Sequence, residues 1–202
     1  MSMFLYSVFR TEGNFQIIVA TISFLFVVPF LYIRLILKRS LNEFGIQKGD
    51  WRKGFLYSIF SILILTFIFY LFFNNFNFIE KYYLPASIVS NFKYFIFREV
   101  VKIGFFIALY EFFFRGFIMF YFSDKFKSCF YPIVIQSLIF YVFLIAVDSF
   151  GWATSPYILI APLAGLVAYK SHSIIYSFVF SWISVLAIDT VFIKIIVSLA
   201  LK

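Results

Sequence analysis

IALYEFFFRGFIMF, residues 107–120, sets Glu111 and Arg115 four positions apart within an otherwise apolar run. At helical spacing the two side chains meet on one face with the acid nearer the N-terminus, the favourable order for an ionic contact. The rest of the chain is equally apolar: 64% of residues are hydrophobic, 13% are charged and mean hydropathy is +1.01. A soluble domain of 202 residues cannot hide that much apolar surface, so the solvent is largely lipid. An unpaired charge at mid-bilayer costs about 2.5–3.5 kcal/mol on insertion scales, which makes Glu111 and Arg115 either a functional site or an internal brace between helices.

Outward from this stretch, apolar runs approaching the roughly 20 residues a bilayer crossing needs recur along the chain. They cover residues 15–37, 55–73, about 91–122, 130–147, 152–169 and 174–201. The fifth is interrupted by Pro156, Pro162 and Gly165, which neighbouring helices must accommodate. In the sixth, Asp189 and Thr190 predict a broken helix or one span with a short hairpin partner. The expected architecture is all-α, a polytopic transmembrane bundle of about six spans, seven at most, forming a single integral membrane domain over residues 1–202. The opening MSMFLYSVFRTEGNF carries no signal-peptide or lipidation pattern, so the first span is expected to direct insertion.

The connection KRSLNEFGIQKGDWRK, residues 38–53, holds five Lys or Arg and is expected on the cytoplasmic side, together with Lys125, Lys127 and Lys170. Residues 74–91 are expected to form an external loop. The net charge of +8 is spread over span ends rather than gathered on one solvated face, which excludes a nucleic-acid surface and leaves membrane lipid as the evident partner. Cys129 and His172 are each the only residue of their type, and no ligand spacing is present, so neither a metal nor a cofactor is expected.

YEFFFRGF at residues 110–117 resembles the EExxxR segment of the CAAX protease and bacteriocin-processing family (CPBP, or Abi), intramembrane proteases that include the type II CAAX prenyl endopeptidases. FGIQKGDWRKGFLYSIF at 44–60 is similar to the family's loop into an early helix. SLIF at 137–140 is similar to the start of its FxxxH helix, LAGLVAY at 163–169 to its Gly-containing helix, and SII at 173–175 to its last motif helix. The resemblance covers about residues 44–188 and implies the family's bundle. It also implies the family's chemistry, in which the first Glu and the FxxxH His activate a water while a later His and Asn stabilise the oxyanion.

Residue by residue, the chain departs from that pattern. The first Glu position is Tyr110, while Glu111 and Arg115 are kept as motif remnants. Four residues after Phe140 the His position is Leu144, and the last His and Asn positions are Ser181, beside Trp182, and Val185. Leucine moves no proton, and at most one hydroxyl is left to stabilise an oxyanion. The resemblance therefore implies a pseudoprotease whose old substrate cavity, lined by Tyr110, Phe140, Leu144, Ser181, Trp182 and Val185, binds a hydrophobic or lipidated peptide or another membrane protein. Bacteriocin immunity, regulation or assembly in a prokaryotic cell (inner) membrane would suit such a protein. Two alternatives stand beside it. One is an active CAAX-type endopeptidase with Glu111 as lone base, and the other a small transporter subunit drawing on Glu111, Asp148 and Asp189.

Overall fold

The computed structural model describes residues 14–75, 92–126, 128–147 and 155–200. The expected external loop at 74–91 lies almost wholly outside the described residues, as does Asp148. Among the described residues there are six long helices and no strand: α1 (14–36), α2 (Trp51–Asn75), α3 (92–123), α4 (Phe130–Ala146), α5 (Ser155–Ser171) and α6 (Ile174–Ala200). Four stretches, Ile18–Ile36, Trp51–Leu71, Lys93–Ser123 and Ile174–Lys194, are long and apolar enough to cross a membrane, and α4 is a shorter apolar helix. The chain is a multi-pass integral membrane protein with an all-α bundle.

Burial sorts the helices. The apolar window of α3 is 67% buried, against 22% for those of α1 and α2, so α3 runs through the interior while α1 and α2 face lipid. Phe55, Leu56, Phe60, Leu63, Phe67 and Tyr70 form the exposed stripe of α2. Helix α5 is also interior and packs on α2, α4 and α6. Its buried face alternates Ala161, Ala164 and Ala168 with Ile160 and Val167. Small side chains let helix backbones approach where no hydrophobic effect drives them together.

Pro162 lies inside α5 and brings no N–H to the Ile158 carbonyl one turn earlier. The Tyr141 hydroxyl of α4 donates to that carbonyl at 2.8 Å. A neighbouring helix thus repairs the break, as lipid requires.

The last helix corrects the sequence expectation. α6 runs unbroken for 27 residues, with no hairpin or interruption at Asp189 or Thr190. The Thr190 hydroxyl bonds the Leu186 carbonyl at 2.7 Å, and Asp189 finds an arginine on α3. A satisfied acid needs no break in the helix.

At the basic end of the bundle the connection between α1 and α2 is laced down. Ser40 and Glu43 form a reciprocal cap on the short turn Leu41–Phe44. The Ser40 N–H and hydroxyl donate to the Glu43 carboxylate at 3.0 and 2.8 Å. Arg39 bridges Glu43, at 2.6 Å, to Asp124 at the end of α3. Gly45, at φ +79°, turns the chain so that its carbonyl accepts the Ile174 N–H at 3.0 Å. The Asp50 N–H reaches the Ser171 carbonyl at 2.8 Å, and its carboxylate caps the start of α2 by accepting the Arg52 and Lys53 N–H groups, each at 3.1 Å.

The Ser40 N–H and hydroxyl, helped by Arg39, hold the Glu43 carboxyl down to about 2. A folded-state value below the ordinary 4.5 means that the clasp contributes stability above pH 4.5 and loses it as pH falls towards 2. Thermal unfolding in detergent should show the gap between wild type and Glu43→Gln, present at pH 7, closing as pH drops from 4.5 to 2. A gap that stays constant over that range would refute the clasp.

Candidate functional site

Glu111 and Arg115 sit on α3 where its hydrogen bonding widens into a π-helical stretch, Glu111–Met119. Such stretches recur at functional sites but do not mark this one alone, since the lipid-facing α1 carries two, Ser23–Val27 and Tyr32–Ile36. Both side chains are buried, at 2% and 3% exposure. From α6, Ser177 and Ser181, one turn apart on the same face, donate to the two carboxylate oxygens of Glu111 at 2.6 and 2.7 Å. Arg115 Nη1 stands 3.6 Å from the same carboxylate, an ion pair rather than a tight hydrogen bond. Its Nη2 donates to the Ala161 carbonyl of α5 at 3.2 Å, and its guanidinium carbon lies 5.8 Å from the centroid of the Phe140 ring. Gln136 of α4, fully buried, donates to the same carbonyl at 3.0 Å and to the Ser137 hydroxyl at 2.8 Å. One acid is therefore neutralised by one base, and four helices converge on the pair.

A cavity of about 20 Å³ adjoins the pair, walled by Tyr110, Glu111, Arg115, Phe140, Ser181 and Val185 together with Ile107, Tyr157 and Ile160. That volume holds about one water molecule and no peptide segment. Six of the residues singled out from sequence thus meet around one space. Two do not line it. Leu144 packs in the apolar cluster of Leu25, Phe114, Phe140 and Phe143. Trp182 turns away, and its indole N–H donates to the Glu99 carbonyl at 3.0 Å.

A second ionic cluster lies along α3, in its other π-helical stretch, Arg98–Ile103, where Val100 and Val101 face outward and Glu99 faces inward. The Arg98 guanidinium pairs with Glu99 and, at 3.0 Å, with Asp189 of α6. Glu99 is fully buried and Asp189 is 3% exposed. From sequence, Asp189 is expected at a break in the last span, and nothing local links it to Arg98 or Glu99. The fold supplies the link, because α3 and α6 run side by side and the 91-residue separation between Arg98 and Asp189 closes across that contact. Ser177 and Gln136 are likewise missed from sequence. Only the helical spacing of Ser177 with Ser181 could have flagged the first.

Residues 95–187 match the family model "Type II CAAX prenyl endopeptidase Rce1-like". This stretch, just under half of the chain, is similar to the type II CAAX prenyl endopeptidases of the CPBP family. The match takes in both π-helical stretches of α3, the Glu111–Arg115 pair and the two serines that bind it, and it ends two residues before Asp189. It is narrower than the span 44–188 expected from sequence and leaves α1 and α2 outside. Comparison with curated proteins and with solved structures found no match.

Within the Rce1-like stretch the site ties a carboxylate to two hydroxyls and a guanidinium, and the guanidinium in turn to a backbone carbonyl. A general base must reach a water and transfer its proton to a partner of matched pKa. Among the described residues lining the cavity, no histidine is present to take that part.

Proposed function

We propose that this chain is a catalytically silent CPBP-family membrane protein that binds a hydrophobic or lipidated segment of another membrane protein or peptide instead of cleaving it. The observation that carries the reading is the state of Glu111: both carboxylate oxygens accept serine hydroxyls, Arg115 stands against it, and the adjoining space is about 20 Å³. Leu144 and Val185 at the positions where the family places a histidine and an asparagine point the same way. Since the old cavity holds no peptide, binding is assigned to the apolar groove of about 320 Å³ between α2 and α6, lined by Leu65, Phe69, Tyr70, Ile183, Ala187 and Val191 among others. A segment that lies there stays in contact with lipid and needs no opening of the bundle. Regulation, assembly or bacteriocin immunity in a prokaryotic inner membrane would be natural uses.

The test uses the purified chain in lipid nanodiscs with a fluorescent farnesylated peptide. Saturable binding is expected, weakened about tenfold or more by Ala187→Phe, with mass spectrometry finding the peptide intact. Cleavage that Glu111→Gln abolishes would replace this reading with that of an active endopeptidase.

A further inference from the structure

At the basic end, the first turn of α2 and the turn between α5 and α6 enclose a recess of about 430 Å³ lined by Lys53, Leu56, Tyr57, Tyr169, Lys170 and His172. It belongs neither to the ionic clusters nor to the α2–α6 groove. Lys53 meets one carboxylate, Asp50, at 3.2 Å. Lys170 makes no ion pair among the described residues, and its Nζ lies 5.8 Å from the centroid of the Tyr57 ring. With Arg52 in the same turn as Lys53, cationic charge exceeds what Asp50 offsets.

The backbone adds a second observation. His172 follows the end of α5 at φ +52°, the left-handed conformation in which a helix terminator is usually glycine. A histidine there carries a steric cost and, in return, places an imidazole in the recess, tilted against Tyr169 at 6.2 Å between ring centroids. The Gln47 amide fixes this turn by donating to the His172 carbonyl at 3.1 Å.

Directly beneath the cations the surface turns apolar. Leu56 belongs to the recess, and with Phe55 and Phe60 it opens the lipid-facing stripe of α2; Trp51, 63% exposed, stands at the rim as interfacial tryptophans do. Positive donors above a continuous apolar strip fit an amphiphile with an anionic head, not a free anion.

We propose that this recess binds the phosphate of an anionic phospholipid, with Lys53, Lys170 and His172 as donors and an acyl chain lying along Leu56 and the α2 stripe. Basic pockets between membrane helices recognise lipid headgroups through the same combination of charge and depth.

Thermal unfolding of the full chain in phosphatidylcholine–detergent micelles tests this. Adding phosphatidylglycerol should raise the midpoint by roughly 3 °C or more, because a ligand that binds only the folded state stabilises it. Lys53→Gln/Lys170→Gln, measured against its own midpoint without phosphatidylglycerol, should lose at least half of that rise. Lys125→Gln, a charge change at the same end but outside the recess, should keep it. Native mass spectrometry of the wild type should retain phosphatidylglycerol in preference to phosphatidylcholine. The proposal is overturned by an equal rise with added phosphatidylcholine, by an equal rise with inorganic phosphate alone, by a double variant that keeps the full rise, or by a Lys125→Gln variant that loses as much as the double.

Discussion

Arg98→Leu should be the most damaging single substitution, lowering stability by about 3–5 kcal/mol at pH 7, the range found when a buried charge loses its partner, because the half-buried Arg98 is the cation of two buried acids. The reason is the composition of the cluster. One guanidinium serves two buried carboxylates, Glu99 and Asp189, and without it they face each other with no cation between them. Already one oxygen of Glu99, Oε2, has no hydrogen-bond partner among the described residues. Asp189→Asn, which leaves Arg98 with Glu99, should cost much less, and adding it to Arg98→Leu should recover part of the loss. Thermal denaturation of the four proteins in one detergent checks this; a double variant no better than Arg98→Leu alone would count against the shared cation.

Arg115→Leu should follow, at about 3 kcal/mol, or roughly 6–12 °C in the thermal midpoint for a chain of this size. The loss sits at the lower end of the range because the Ser177 and Ser181 hydroxyls still donate to Glu111 after the arginine has gone. Arg115→Lys should not restore the wild-type midpoint. A lysine ammonium cannot span Glu111, the Ala161 carbonyl and the Phe140 ring as the planar guanidinium does. Full rescue by lysine would mean that charge alone matters at this position.

These two clusters also mark how far the sequence could be read. The six helices were legible because lipid demands long apolar runs, and observed ends such as Phe130 and Ala146 lie within a residue of those expected. The Glu111–Arg115 pair was legible because its four-residue spacing is local. What lay beyond reach depends on contacts between distant segments. Asp189 looks like a helix breaker until α3 brings Arg98 to it across 91 positions. Leu144 is expected from sequence to line the cavity, yet its side chain answers to the packing of Phe140 and Phe143 instead. Trp182 follows Ser181 directly and for that reason points to another face of α6, where it meets the Glu99 carbonyl. Proline 162 was legible as a problem, but its repair by Tyr141 was not, since nothing local relates the two positions.

Glu111 is a tied carboxylate in this fold, not a free base, and its coupling to α6 can be measured directly. A double-mutant cycle of Glu111→Gln with Ser181→Ala, read by thermal unfolding in detergent at pH 7, should give a coupling energy of about 1–2 kcal/mol, as expected for a buried hydrogen bond to a charged acceptor. Losses that simply add, to within about 0.3 kcal/mol, would contradict the tie and return Glu111 to the role of an available base.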